Sequence, residues 1–159
     1  MTATTSTFLV THVDADSAVV RDVDTAQVHT LTDPGELAVN DVLEATIAPE
    51  PPLEVAWTLE EVTAQRRIDL VDSDLEPTAH SMALVSDADV GTFEEHERAG
   101  RGAIHVFRVD PADLEQAKQD VLSDEETLAR AARLEAVRVE VRTASPGVLS
   151  VRYLPDAGK

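Results

Sequence analysis

Residues 7–31 read TFLVTHVDADSAVVRDVDTAQVHTL, and their rhythm decides the fold. Apolar residues come in short runs, Thr7 to Val13, Ala18 to Val23 and Gln27 to Leu31. Asp14, Asp16 and Ser17 separate the first two runs, and Asp24 and Thr25 the next two. Short polar side chains in such gaps bond their own backbone and turn the chain, so the stretch predicts three consecutive strands. Further on, Asp33-Pro34-Gly35 breaks the pattern, Val42 to Ala48 reads as a fourth strand, and Pro49, Pro51 and Pro52 interrupt it. A fifth strand is expected from Leu53 to Val62, with Leu53, Val55, Trp57 and Leu59 on one face and Glu54, Thr58 and Glu60 on the other. Five short strands within roughly sixty residues predict a small antiparallel β-barrel of the OB or SH3-like kind over residues 1–64, because closure removes exposed strand edges.

The pattern then changes. Residues 65–90 open with Gln65-Arg66-Arg67 and carry Asp72, Asp74, Glu76, Pro77, Asp87 and Asp89 among scattered apolar positions, the composition of an acidic linker or crossing segment. Residues 91–155 predict an α+β module, and 156–159 a tail. Phe93 to Ala99 reads as a short helix with a strand as the alternative, and Gly100 and Gly102 bound a strand from Ala103 to Val109. Asp110 before Pro111 marks a helix start, and Leu114, Ala117, Val121 and Leu122 give that helix an apolar face. Ser123 with Glu126 forms a capping box for a second helix, whose Leu128, Ala131 and Ala132 face inward. Val137, Val139 and Val141 alternate with Arg138, Glu140 and Arg142 in a strand that turns at Ser145-Pro146-Gly147 and returns as Val148 to Leu154. The order of helix, strand, two helices and hairpin fits a winged helix or a ferredoxin-like arrangement. The expected class is α+β, with the barrel packed against this module. Five aromatics in the whole chain imply light Val/Ala/Leu cores, so the modules are expected to bury surface on each other or in a homodimer.

Charge speaks to habitat. Thirty-one acidic residues face thirteen basic ones, of which only Lys118 and Lys159 are lysine. An acidic coat keeps a protein hydrated where water is scarce, but its self-repulsion destabilises the compact state unless salt screens it. This points to a cytosol of molar salt, and the scarcity of Lys and Ile fits a high-GC halophile. A disordered acidic tail or a nucleic-acid mimic is the other reading of such charge. No block of five like charges occurs, and 43% of residues are apolar, so the acids are expected to coat a folded surface. The first residues lack a basic, apolar leader and no stretch approaches the length of a membrane span, so a cytoplasmic protein without membrane contact is expected.

The phrases TFLVTHVDADSAVVRD (7–22), NDVLEATIAPEPPLEVAW (40–57) and DEETLARAARLEAVRVEVR (124–142) resemble a family of haloarchaeal proteins that carry a domain of unknown function. That resemblance implies no activity, ligand or site. The run Leu37-Ala38-Val39-Asn40-Asp41-Val42-Leu43 is similar in layout to TRAM and OB-type RNA-binding barrels, which usually place Gly where this chain has Asn40.

Candidate chemistry is sparse. The chain has no cysteine, which excludes disulfides, thiolate metal sites and cysteine nucleophiles. The string His12, Asp14, Asp16 reads better as a turn than as a metal site, the Asp-rich turns lack the Gly and terminal Glu of calcium loops, and none of the common catalytic motifs is present. No cofactor is expected. Histidines at the barrel mouth, His12 or His29, are the residues an enzyme would use. Through Gln65 the barrel holds twelve carboxylates against Arg21 alone, which disfavours phosphate binding there. Between residues 100 and 154, eight basic residues nearly balance nine acids. Arg138 and Arg142 share a strand face that Arg152 joins if the hairpin register permits, and together they form a candidate anion-binding site on a face expected to be exposed. Cross-strand pairing of these arginines with Glu140 is the simpler reading. The functional expectation is a non-catalytic binding or adaptor protein with an unknown protein partner. Weak nucleic-acid binding through the arginine face is the alternative, and an enzyme using the barrel histidines is third.

Overall fold

Three strands arise from residues 7–31 as read: β1 (Thr4–Val13), β2 (Ser17–Asp22) and β3 (Val28–Thr32). They are joined by β4 (Asp41–Pro49) and β5 (Trp57–Arg67) in a computed structural model that describes residues 3–51, 55–97 and 102–155. β1 pairs antiparallel with both β2 and β4, β2 with β3, and β4 with β5. The ring closes in the order β1-β2-β3-β5-β4 through a single parallel pair, Leu31 opposite Trp57, so the closing contact is not antiparallel. Phe8, Val10, Val20, Leu31, Leu43, Ala45, Ile47 and Trp57 fill the interior. At the turn between β2 and β3, the buried carboxylate of Asp22 accepts from the Asp24 and Thr25 amides and from the Ser6 hydroxyl.

The fifth strand differs from its expectation. Val55 precedes it and is 78% exposed, while Leu53 and Glu54 lie outside the described residues. The strand runs instead through Gln65, Arg66 and Arg67, because β4 supplies acceptors for their side-chain N–H groups. Asp41 is buried and accepts from Arg67 Nε at 2.8 Å and Gln65 Nε2 at 3.1 Å, and Glu44 pairs with Arg66 at 3.0 Å. Asn40, just before, has φ 79°, a left-handed backbone that glycine adopts freely and asparagine tolerates.

Residues 65–90 hold the end of β5, then β6 (Asp69–Asp72) and α1 (Ala79–Val85). β7 (Phe93–Glu97), β8 (Ala103–Arg108), α2 (Leu114–Ser123), α3 (Glu125–Arg133), β9 (Arg138–Ala144) and β10 (Val148–Leu154) follow. The sheet order is β6-β9-β10-β8-β7, with β6 parallel to β9 and the other pairs antiparallel. One face packs against α1 through Ile104, Val106 and Val148 with Val85. On the other, Lys118 of α2 bonds Asp72 at 3.2 Å, beside the buried Val139 and Val141. A central five-stranded sheet with a helix on each face is a different arrangement from a winged helix. The chain divides into two compact units. One reaches to Ile68 and includes Leu128–Arg133, and the other takes Asp69–Thr127 and the chain from Leu134.

Two local expectations change. The segment from Phe93 is a strand, because edge pairing with β8 sets Phe93 against Phe107 and outweighs the helix-favouring glutamates. Ala99, Gly100, Arg101 and the tail 156–159 lie outside the described residues. Ser123 does not cap α3. Its hydroxyl donates back to the Gln119 carbonyl at 2.8 Å and ends α2, while the Asp124 carboxylate accepts from the Glu126 amide at 2.9 Å. At Asp110 the expected cap forms, accepting from the Ala112 amide ahead of a 3₁₀ turn, Pro111–Asp113.

Candidate functional site

The β9–β10 hairpin register places Arg152 directly across from Glu140, with Arg138 and Arg142 two residues to either side on the same face. All three arginines therefore turn toward one carboxylate. Arg138 Nη2 is 3.3 Å from Glu140 Oε2, Arg142 Nε hydrogen-bonds Glu140 Oε1, and Arg152 Nε lies 3.8 Å from that oxygen. Arg142 also donates from Nη1 to the Glu76 backbone carbonyl at 3.4 Å, which ties the segment before α1 to the cluster. The face is not the exposed one expected from sequence. Side-chain exposure is 8% for Glu140, 11% for Arg152 and 15% for Arg142, and only Arg138, at 33%, reaches solvent appreciably. Three guanidinium groups thus turn onto the Glu140 carboxylate in a place largely withdrawn from water. Charges so placed need partners, since desolvation costs several kcal/mol per ion.

The sequence supplied the three arginines but not Ser150, which stands opposite Arg142 on β10. Its signal is structural and absent from the sequence. Every residue of the strand Val148–Leu154 is buried, and a serine and an arginine in such a strand are the positions that demand an explanation.

The histidines fall into separate environments. His12 is exposed and lies 3.4 Å from Asp14, beside a turn in which the Asp14 amide donates to the Ser17 carbonyl. Asp14, Asp16 and Asp33 border an open depression of about 380 Å³. His29 is 8% exposed, sits edge-on to Trp57 at 4.5 Å and to Phe8 at 6.1 Å, and its buried Nε2 has no hydrogen-bond partner. Burial holds the His29 imidazole below its ordinary value, and the nearby Asp22 offsets part of that. On the second unit His96 meets the buried Ser81 hydroxyl at 3.1 Å and the ring of His80 at 4.6 Å, and His105 meets Glu95 at 3.3 Å. Among the described residues, no group of three or more His, Asp or Glu side chains is arranged to hold a metal ion. No helix among them is long and apolar enough to cross a membrane.

A closed five-stranded ring followed by a mixed sheet that carries an arginine–carboxylate cluster defines an α+β protein. The chain belongs to a family of unknown function, DUF5812, which matches residues 4–143. No curated protein and no solved structure matches it.

His29 gives the first unit a pH dependence whose sign is fixed. Above the ordinary histidine value of 6.5 the ring is neutral in both folded and unfolded chains. As pH falls through 6.5, the unfolded chain takes up a proton that the folded barrel resists, so stability is lost toward the lower folded value. Trp57, the only tryptophan, reports the same event because the imidazole touches it. Its emission is expected to change over a transition centred below 6.5, and His29→Phe should abolish that transition and reduce the acid loss of stability. A transition centred at or above 6.5, or one unchanged by the substitution, would contradict the buried neutral ring.

Proposed function

We propose that this protein is a non-catalytic binding or adaptor protein of a halophile cytosol. In this reading it is built on an OB or SH3-like barrel and carries an anion site formed by Arg138, Arg142 and Arg152. The observation that carries the reading is the convergence of three guanidinium groups on the Glu140 carboxylate in a partly dehydrated place. Guanidinium forks held by a sheet are preorganised for a carboxylate or phosphate-like group. Glu140 then acts as an internal occupant of the site. The high-salt part of the reading is supported by the net charge of −18 and by the exposure of Asp14, Asp16, Asp24, Glu60, Glu61 and Asp74.

Nucleic-acid binding through the same arginines is the weaker reading. A phosphate backbone is tracked by exposed cations, whereas Arg142 and Arg152 are largely covered and turned onto Glu140. An enzyme working through His12 and His29 is weaker still, with one ring on an exposed turn and the other among core aromatics. A protein partner, or a second copy of the chain, would be the object of adaptor binding, and a pulldown in molar KCl would identify it.

Two experiments test the reading. Thermal melts from low to molar KCl should climb as screening relieves self-repulsion, and a melting temperature indifferent to salt would remove the halophile assignment. Calorimetric titration of acetate and inorganic phosphate at low salt addresses the site. Glu140→Gln removes the internal competitor and should raise anion affinity about tenfold, equivalent to ~1.4 kcal/mol, while Arg142→Gln lowers it. If no variant that retains its circular dichroism binds either anion, the arginines serve only the sheet.

A further inference from the structure

Ser150 Oγ is, among the described residues, the one buried hydroxyl without a hydrogen-bond partner. The residue is 0% exposed. It stands in register between Arg142 on β9 and Val106 on β8, and Arg152 lies two residues along on the same face. On its other side is the apolar group Val85, Ile104, Val106 and Val148 under α1. The hydroxyl therefore sits where a dry, helix-covered patch meets a cluster of three arginines and one carboxylate. A buried hydroxyl without a partner is costly to keep, and a group that accepts the Ser150 O–H here must also suit the guanidinium groups of Arg142 and Arg152 beside it. It must also be small, because Ser150 has no exposed surface and its arginine neighbours have little.

We infer that Ser150, with Arg142 and Arg152, forms an internal seat for a halide-sized monoanion, chloride in a high-salt interior. This rests on the anion reading above and narrows it. The Ser150 O–H and guanidinium N–H groups donate to the ion, the apolar wall under α1 excludes larger solutes, and Glu140 holds the forks open on the opposite side. Chloride then stabilises the fold by occupancy in addition to general screening. Occupancy saturates, whereas screening follows ionic strength whichever anion supplies it.

The test holds potassium concentration fixed and replaces glutamate stepwise by chloride during thermal melts of the parent and Ser150→Ala. The parent should gain about 4 °C in a saturating curve when chloride reaches roughly ten times its dissociation constant. Ser150→Ala should lose that saturating part while keeping the rise with total salt. Crystals grown in bromide should show an anomalous peak between Ser150 and Arg142. A parent indifferent to the anion, an unchanged response in Ser150→Ala, or an ordered water in place of bromide would each overturn the seat. If the seat fails while Glu140→Gln still strengthens acetate binding, the broader anion reading stands. If neither acetate, phosphate nor chloride binds the parent or Glu140→Gln, both fall.

Discussion

The Glu140 carboxylate is the interaction on which the second unit turns. It is 8% exposed in the middle of a sheet, a position that an ionised group occupies only with compensation. The compensation comes from strand register. Arg152 across the hairpin and Arg138 and Arg142 along β9 reach it because side chains two apart share a face. A slip of one residue between β9 and β10 would send the arginines toward the apolar face of Val139, Val141 and Val151, so the cluster and the register specify each other. Through Arg142 the same cluster reaches the Glu76 carbonyl before α1.

The first unit solves a comparable problem with different groups. Asp41 and Asp22 are both 2% exposed, and each is surrounded by donors: Arg67, Gln65 and the Ala38 amide for one, and two turn amides and Ser6 for the other. In a chain with so many acids, the buried ones organise turns and strand ends, while many others, such as Glu60 and Glu61, stand in solvent. His29 is the departure. It lies among aromatics with no hydrogen-bond partner for Nε2, and burial holds its imidazole below the ordinary histidine value.

The limits of sequence reading follow from which forces were local. Residues 7–31 were legible because alternation and Asp-rich turns are short-range signals, and Asp110-Pro111 was legible because a cap is set by its own neighbours. The extension of β5 through Arg66 and Arg67 was not, since those charges look like linker until Asp41 and Glu44, far earlier in the chain, are placed beside them. Composition from Phe93 to Ala99 leaves a short helix and a strand both open, and pairing with β8 makes Phe93–Glu97 a strand. Arg138, Arg142 and Arg152 were picked out by spacing alone. Their burial is not legible in the sequence, because the segment that carries Glu76, whose carbonyl accepts from Arg142, has the composition of a linker. Ser150 was hidden for the same reason.

The central claim, that Glu140 and its arginines act as one coupled unit, is tested most directly by a double-mutant cycle in urea using Glu140→Gln, Arg142→Gln and the combined variant. The account predicts a coupling of about 1.5 kcal/mol or more, with the double variant less destabilised than the sum of the singles, because each single change strands a partly buried charge. Additivity within about 0.5 kcal/mol, the behaviour of independent sites, would contradict it.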